Sequence, residues 1–335
     1  MTHDWAAQTP RFTAKAHPNI ALVKYWGKRD EKLILPVAGS MSMTLDTVAT
    51  TTTVIKGGSA DAFYLGGELV AGKPAAQVSG FLDLVRRLAG SNEHATVISH
   101  NDAPTAAGLA SSASGFAALA TAAAAAYGLE LNTRELSILA RQGSGSASRS
   151  VIDKFAVWHA GTDSETSYAE ELSAPDMRMI ICEINAGPKL VSSRLGMQLT
   201  RDTSPFWSSW ASSTEEILQE MLTACAADDF TKVGEITETH AYRMHALIQS
   251  SRPVVRYLAP ASYAAFDRIA ELRRQGVEAY GTADAGPNVV AIARPEDAAA
   301  VANALREFGK ITISAPGPGS HLITEALPLP VGFEG

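Results

Sequence analysis

Cysteine is nearly absent from this chain, with two residues, Cys182 and Cys225, among 335. They form no CxxC pair and sit in apolar or helical surroundings, which argues against a disulfide framework and against a zinc site. The eight histidines show no HExxH or comparable spacing, so no protein-held metal is read from them. Runs of like charge are missing as well. Charged residues make up 19% of the chain and the net charge is −7, with no Lys/Arg run, which argues against nucleic acid as a partner. A small anionic substrate is still admissible, because a local cluster of cations outweighs an unfavourable global charge. No apolar run approaches about 18 residues, so no membrane span is read. The opening MTHDWAAQTP lacks the basic and apolar regions of a signal peptide, and the expected location is cytoplasmic.

What is present suits a two-lobed enzyme. A hydrophobic content of 46% over 335 residues is ample for a sizeable core. That length favours two lobes sharing a cleft over one simple compact domain. Alternating or β-branched stretches predict strands over 19–24, 41–55, 95–100, 155–158, 179–185, 279–282 and 310–314. Helical patterns cover 78–88, 109–127, 133–141, 214–226, 231–249, 260–274 and 295–308. Strands and helices are intermixed without a regular βαβ repeat, which points to an α+β fold. The stretch APDM at 174–177 marks a lobe boundary, dividing the chain into an N-terminal lobe, 1–175, and a C-terminal lobe, 176–335.

Four short segments carry chemistry. Residues 104–115 read PTAAGLASSASG and open a long alanine-rich helix. A helix N-terminus offers unpaired N–H groups and a partial charge of about +0.5. Gly108 permits close backbone approach, and Ser111, Ser112 and Ser114 add hydroxyls, so the loop suits a phosphate. The competing reading, small residues for close helix packing, is preferred for the alanine-rich half. For the loop itself a second small-residue run breaks the tie: GSGSASR at 143–149 ends in Arg149, whose planar guanidinium grips carboxylate or phosphate with two parallel bonds. The third segment is TADAGPN at 282–288, where a turn holds Asp284 at a strand end. A lone Asp is usually turn chemistry, but beside two phosphate-type loops Asp284 becomes a candidate base or orienting group for a hydroxyl. In the fourth, NIALVKYWGKRD at 19–30, Lys24, Tyr25, Trp26 and Lys28 cluster where a strand ends at Gly27.

Together these segments resemble the diphosphomevalonate decarboxylases of the GHMP small-molecule kinase superfamily. The likeness runs from AHPNIALVKYWGKRD through PTAAGLASSASG, GSGSASRS, VSSRLGMQLTRDTS and RMHA to TADAGPNVV. AHPNIAL, TRDTS and RMHA resemble the bacterial branch. The resemblance implies a two-lobed GHMP-kinase-like fold with the site between the lobes. It also implies ATP-dependent decarboxylation of mevalonate 5-diphosphate to isopentenyl diphosphate, with Mg²⁺ arriving on ATP. Carried over by position, Asp284 faces the tertiary 3-hydroxyl, Arg149 the substrate carboxylate, and Lys24 the transferred phosphoryl group. Tyr25, Lys28, Ser144, Ser146, Ser193 and Arg194 match positions that hold the substrate and its diphosphate. Pro104, Ala107, Gly108, Leu109, Ser111 and Ser112 match the loop that cradles the ATP phosphates. A homodimer is expected by the same likeness.

Two stretches depart from the family pattern. Ile152-Asp153-Lys154-Phe155 stands where an aromatic, two glycines and a phenylalanine are usual, and Val37-Ala38-Gly39-Ser40 replaces a more polar Asn/Ser segment. They leave open a paralogue acting on mevalonate 5-phosphate or another 3-hydroxy acid. A nucleotide-binding sensor without catalysis fits less well, since Asp284 and Arg149 are both retained.

Overall fold

The computed structural model describes residues 9–102, 111–184 and 191–330. The chain opens with β1 (Arg11–Ala16), β2 (Asn19–Val23), the short strands β3 (Lys28–Asp30) and β4 (Leu35–Pro36), then β5 (Ser40–Thr44), β6 (Thr50–Lys56), β7 (Ala62–Leu65) and β8 (Glu68–Leu69). Helix α1 (Lys73–Ala89) leads to β9 (Ala95–Asn101). Next come α2 (Ser111–Ala126), α3 (Thr133–Gly143), the one-turn α4 (Ala147–Ser150), β10 (Phe155–Trp158) and β11 (Ala169–Glu171). The second half holds β12 (Arg178–Glu183), α5 (Ser193–Thr203), α6 (Trp207–Ala226), α7 (Phe230–Gln249) and α8 (Pro260–Arg274). It ends with β13 (Ala279–Thr282), β14 (Val289–Ala293), α9 (Ala298–Leu305), β15 (Lys310–Ser314) and β16 (His321–Ile323).

The fold is α+β, built on three main sheets ordered β16-β1-β6-β9-β7-β8, β11-β10-β5-β2 and β13-β14-β12-β15. Helix α2 lies across β1 and β6. Its alanines 117, 118, 120, 122 and 123 are fully buried, so here small side chains let a helix settle close to a sheet. The second sheet shows in the sequence why it can serve a site. In β5, SMSMT, all five residues are buried. Met41 and Met43 belong to a core that also contains Leu22, Met179, Ile292, Met221 and Ile236. Ser40, Ser42 and Thr44, two apart, turn to the opposite face. One core therefore joins β2 and β5 to β12, β14, α6 and α7, and it fixes both halves of the chain against each other. The chain then returns, because β16 pairs antiparallel with β1.

Several elements differ from the sequence expectation. The run 41–55 is two strands, because Leu45 and Asp46 donate their amides to Pro18 and Ala315, and Val48 takes a φ of 55°. Asp46 also accepts from the Ser314 hydroxyl and the Ala315 amide, so a returning segment of the chain claims this turn. Helix α1 begins earlier than residue 78, with a proline in its first turn, where the missing N–H costs nothing. Helix α6 begins at Trp207 rather than 214. Helix α5 was not foreseen. Only Gly196 and Thr200 of its eleven residues are buried, while Met197 and Leu199 pack, partly covered, against the core around Trp26 and Trp210.

The N-terminal sheet is tied to α1 by one buried carboxylate. Asp61 accepts from Arg86 at 2.8 and 2.9 Å, from the Ser79 hydroxyl and from the Ala95 amide. Burial alone would raise its pKa, but these hydrogen bonds outweigh it and hold the carboxyl at about 2. Its folded pKa lies below the unfolded value, so the contribution is complete above about pH 4 and is lost as pH falls towards 2, about 2 kcal/mol in all. Asp61→Asn should cost about 3 kcal/mol near neutrality, since it strips Arg86 of its buried partner. Denaturant titrations of both proteins at pH 7 and pH 3 check this, and the gap should narrow at the lower pH.

Candidate active site

The site begins where β2 ends. Lys24 to Gly27 leave the sheet, so their buried backbone groups need other partners. The Lys24 amide donates to His240 Nδ1 at 2.8 Å, and the Trp26 carbonyl accepts from the Trp210 indole at 2.8 Å. The Trp26 indole donates to Thr200 Oγ1 at 3.2 Å. Gly27 then turns with a φ of 107°, and a Cβ there would meet Trp207 at 2.2 Å, so only glycine fits. The outcome is a lysine that is 1% exposed, whose Nζ donates to the Ala21 carbonyl and to Asp284 Oδ1, both at 2.7 Å. Burial pushes the Lys24 pKa below its ordinary value, while Asp284 pulls it back. Asp284 follows β13 and is half exposed. Its Oδ2 makes no hydrogen bond among the described residues, so one oxygen is held and the other is open to a ligand.

Arg149 is the second buried cation, 2% exposed on the one-turn helix α4. Its Nε donates to Ser42 Oγ at 3.0 Å and Asn19 Oδ1 at 3.2 Å, and its Nη1 to Ser40 Oγ at 2.6 Å. Asn19 in turn donates to the Ser146 carbonyl and to Ser150 Oγ. All these acceptors are neutral. Among the described residues Arg149 has no carboxylate in ion-pair contact, and burial lowers its pKa to about 10, with Asp284 and Tyr25 opposing. A guanidinium held by neutral oxygens, with Nη2 uncommitted, is built to receive an anion.

Tyr25 sits between these groups. Its ring lies 4.8 Å from that of Trp158, and the Arg149 guanidinium is 5.7 Å from the same Trp158 ring. A Cβ at Gly145 would come within 2.8 Å of the Tyr25 hydroxyl, which explains the second glycine of GSG. That hydroxyl is buried without a hydrogen-bond partner among the described residues. Burial pushes its pKa up, and Arg149, Glu31 and Arg194 all lie close enough to act on it.

The structure thus gathers Lys24, Tyr25, Arg149 and Asp284. Ser144 Oγ lies 3.5 Å from Ser146 Oγ and 3.5 Å from Ser112 Oγ, so the GSGSASR run touches the first turn of α2. Lys28, on β3, pairs with Glu31 at 3.0 Å, and Glu31 also meets Arg201 of α5. Ser193 and Arg194 open α5, with Arg194 exposed. Pro104, Ala107, Gly108 and Leu109 lie outside the described residues, as does the side chain of Ser111. The sequence reading passed over Asn19, Ser40, Ser42 and His240 as working residues. The signal for the serines was the polar alternation of SMSMT in an otherwise buried strand. Ser40 belongs to the stretch that looked depleted in polar groups, yet it holds Arg149. His240 carried no local signal.

The Asp153-Lys154 departure also has a structural use. Asp153 Oδ1 accepts the Gly319 amide at 2.7 Å, and the Lys154 amide donates to Gly317 at 2.8 Å. Both side chains are exposed. They fasten the segment that leads into β16 over the turn that follows Arg149.

Residues 16–169 match the profile of the diphosphomevalonate decarboxylase-like N-terminal domain, and residues 179–316 match that of the mevalonate 5-diphosphate decarboxylase C-terminal domain. The diphosphomevalonate decarboxylase mvd1 of Aspergillus fumigatus is 37% identical over 340 residues, covering 92% of this chain and 83% of its own length. The crystal structure of mevalonate diphosphate decarboxylase from Staphylococcus aureus superposes with a TM-score of 0.90 at 42% identity, covering 93% of this chain and 98% of that one. MDDEF in complex with MVAPP, AMPPCP and magnesium gives a TM-score of 0.89 at 43% identity, over 93% and 98% of the two chains.

Lys154 adopts a φ of 51°, a conformation natural to glycine. Lys154→Gly should relieve this strain and stabilise the protein by about 1 kcal/mol. A thermal melt reads it as a rise of about 2 °C; a fall would mean that the lysine side chain itself secures the turn.

Proposed function

The chain belongs to the diphosphomevalonate decarboxylase family, and from that premise we infer how its own residues carry out the reaction. It decarboxylates mevalonate 5-diphosphate to isopentenyl diphosphate at the expense of ATP, releasing carbon dioxide, ADP and phosphate. One observation carries the assignment of roles. A carboxylate held by a buried lysine stands near a buried arginine that has no carboxylate partner among the described residues. The first group suits a hydroxyl to be phosphorylated and the second a carboxylate to be lost.

A tertiary hydroxide leaves poorly, so it is first converted into a phosphate ester. Asp284, with Oδ1 fixed by Lys24, presents Oδ2 to the 3-hydroxyl, orients it and takes its proton as the γ-phosphoryl group of ATP is transferred. The Lys24 ammonium faces the charge that gathers on the transferred group. When phosphate departs it carries away the proton that Asp284 took, and the restored Asp284 carboxylate stabilises the positive charge that develops at C3. Arg149, using Nη2, holds the substrate carboxylate so that its C–C bond lies antiperiplanar to the departing C–O bond. The electrons of that bond then form the alkene as carbon dioxide leaves. Fixing Nε and Nη1 beforehand means that little ordering remains to be done at the moment of reaction.

The remaining assignments belong to the same proposal. Tyr25, Lys28, Ser144, Ser146, Ser193 and Arg194 hold the substrate and its diphosphate, and the loop from Pro104 to Ser112 cradles the ATP phosphates. The contact of Ser144 with Ser112 supports this, as does the Tyr25 hydroxyl, which has no hydrogen-bond partner among the described residues. ATP is the cosubstrate and brings Mg²⁺ on its phosphates. No cluster of three His, Cys, Asp or Glu side chains suited to a metal occurs among the described residues. The two lobes divide near residues 174–177, a reading supported by the gap between the two matched domains at 169 and 179. No helix among the described residues is long and apolar enough to cross a membrane. We extend the proposal to a cytoplasmic homodimer, for which sedimentation equilibrium is the check.

Asp284→Asn keeps the size and loses the charge. It should retain the fold and ATP binding while turnover of mevalonate 5-diphosphate falls by at least about 10²–10³-fold. Carbon dioxide release and ADP formation, followed together, test this. Near-normal rates of both would overturn the role given to Asp284.

A further inference from the structure

Helix α7 carries two buried histidines, His240 and His245, exposed by 1% and 2%. Each meets the backbone beside one member of the Lys24–Asp284 pair. His240 Nδ1 accepts the Lys24 amide at 2.8 Å, and its Nε2 lies 3.2 Å from Thr214 Oγ1. His245 Nε2 lies 3.4 Å from the carbonyl of Ala283, the residue before Asp284. A backbone N–H can only donate, so His240 Nδ1 is unprotonated and Nε2 bears the hydrogen given to Thr214. A carbonyl can only accept, so His245 Nε2 is the donor there. The His240 ring is further locked by stacking on Trp210, 4.9 Å away at 14°, and Trp210 holds the Trp26 carbonyl. Burial, with Lys24 nearby, lowers His240 to about 3 and His245 to about 4, so both stay neutral.

We propose that His240 is a positioning residue for phosphoryl transfer, which sets the Lys24 ammonium against Asp284 by holding the Lys24 backbone, with His245 steadying the Asp284 side from the same helix. The proposal rests on the roles given above to Lys24 and Asp284. The Lys24 amide lies outside the β2–β5 ladder, and His240 supplies its acceptor. Without that acceptor a buried N–H is left unsatisfied and the segment must shift to find another. A shift of this kind moves Nζ relative to Asp284 while leaving Ser193 and Arg194, which open α5, in place. Misplacement of a catalytic group by about 1 Å lowers rate far more than affinity.

The test compares three substitutions in the full-length protein. His240→Asn keeps an acceptor close to the position of Nδ1; His240→Gln extends towards Thr214 and moves it away; His240→Leu removes it. Steady-state assays of ADP release with mevalonate 5-diphosphate should show kcat reduced about 10–100-fold in His240→Leu and His240→Gln. KM for both substrates should change less than about threefold, and His240→Asn should recover most of the rate. Should the leucine variant fail to fold, the Asn and Gln proteins alone decide the matter. Equal rates in those two would overturn the proposal, as would a loss confined to KM. Asp284→Asn assayed alongside separates the two levels: if it turns over normally the assigned roles fail, whereas if it is inactive and the His240 variants are unaffected, only the positioning role fails.

Discussion

Everything at this site depends on an ion pair between a lysine buried to 1% exposure and an aspartate that is half open to solvent. Taking an ammonium out of water costs several kcal/mol, and one carboxylate contact does not by itself repay it. The protein adds the Ala21 carbonyl as a second acceptor and places Lys24 on a segment whose backbone is satisfied by side chains of α6 and α7. The lysine comes from the first sixth of the sequence and the aspartate from the last sixth. Their meeting therefore requires the core shared by β2, β5, β12, β14, α6 and α7. Packing, here, is what makes the chemistry geometrically possible.

Arg149 obeys the opposite rule. It is buried as deeply but surrounded by Ser40, Ser42 and Asn19 rather than by a carboxylate. A structural arginine in the same chain shows the contrast: Arg86 is paired with both Asp61 and Asp83. Leaving one buried cation paired to an acid and the other without one divides the labour between them. The paired cation fixes an acid that faces a hydroxyl, and the unpaired one waits for an anion. The neutral cradle also explains why serines alternate with methionines in β5, since each side of that strand serves a different purpose.

The sequence disclosed this arrangement unevenly. Arg149 and Asp284 stood out because glycines and small residues flank them in recognisable turns, Lys24 because it clusters with Tyr25, Trp26 and Lys28 at a strand end, and the α+β class followed from intermixed periodicities. What escaped notice depends on contacts distant in sequence. His240 lies in an ordinary helical pattern, and its importance comes from an amide 216 positions away. The break in 41–55 escaped because its cause, the returning segment around Ser314 and Ala315, is equally remote. Helix α5 escaped because its apolar side chains are few, and Met197 and Leu199 are only partly covered where they meet the core around Trp26 and Trp210. Asp153 and Lys154 read as intrusions near Arg149, yet their bonds run to Gly319 and Gly317.

The claim that Lys24 and Asp284 act as one unit is tested most directly by a double-mutant cycle on kcat/KM, using Lys24→Met, Asp284→Asn and the two combined. If the lysine works through the aspartate it holds, the double variant should be no more than about threefold slower than the slower single variant. Losses that multiply, so that the double variant falls by the product of the two single effects, would show that the residues act independently and would contradict the account.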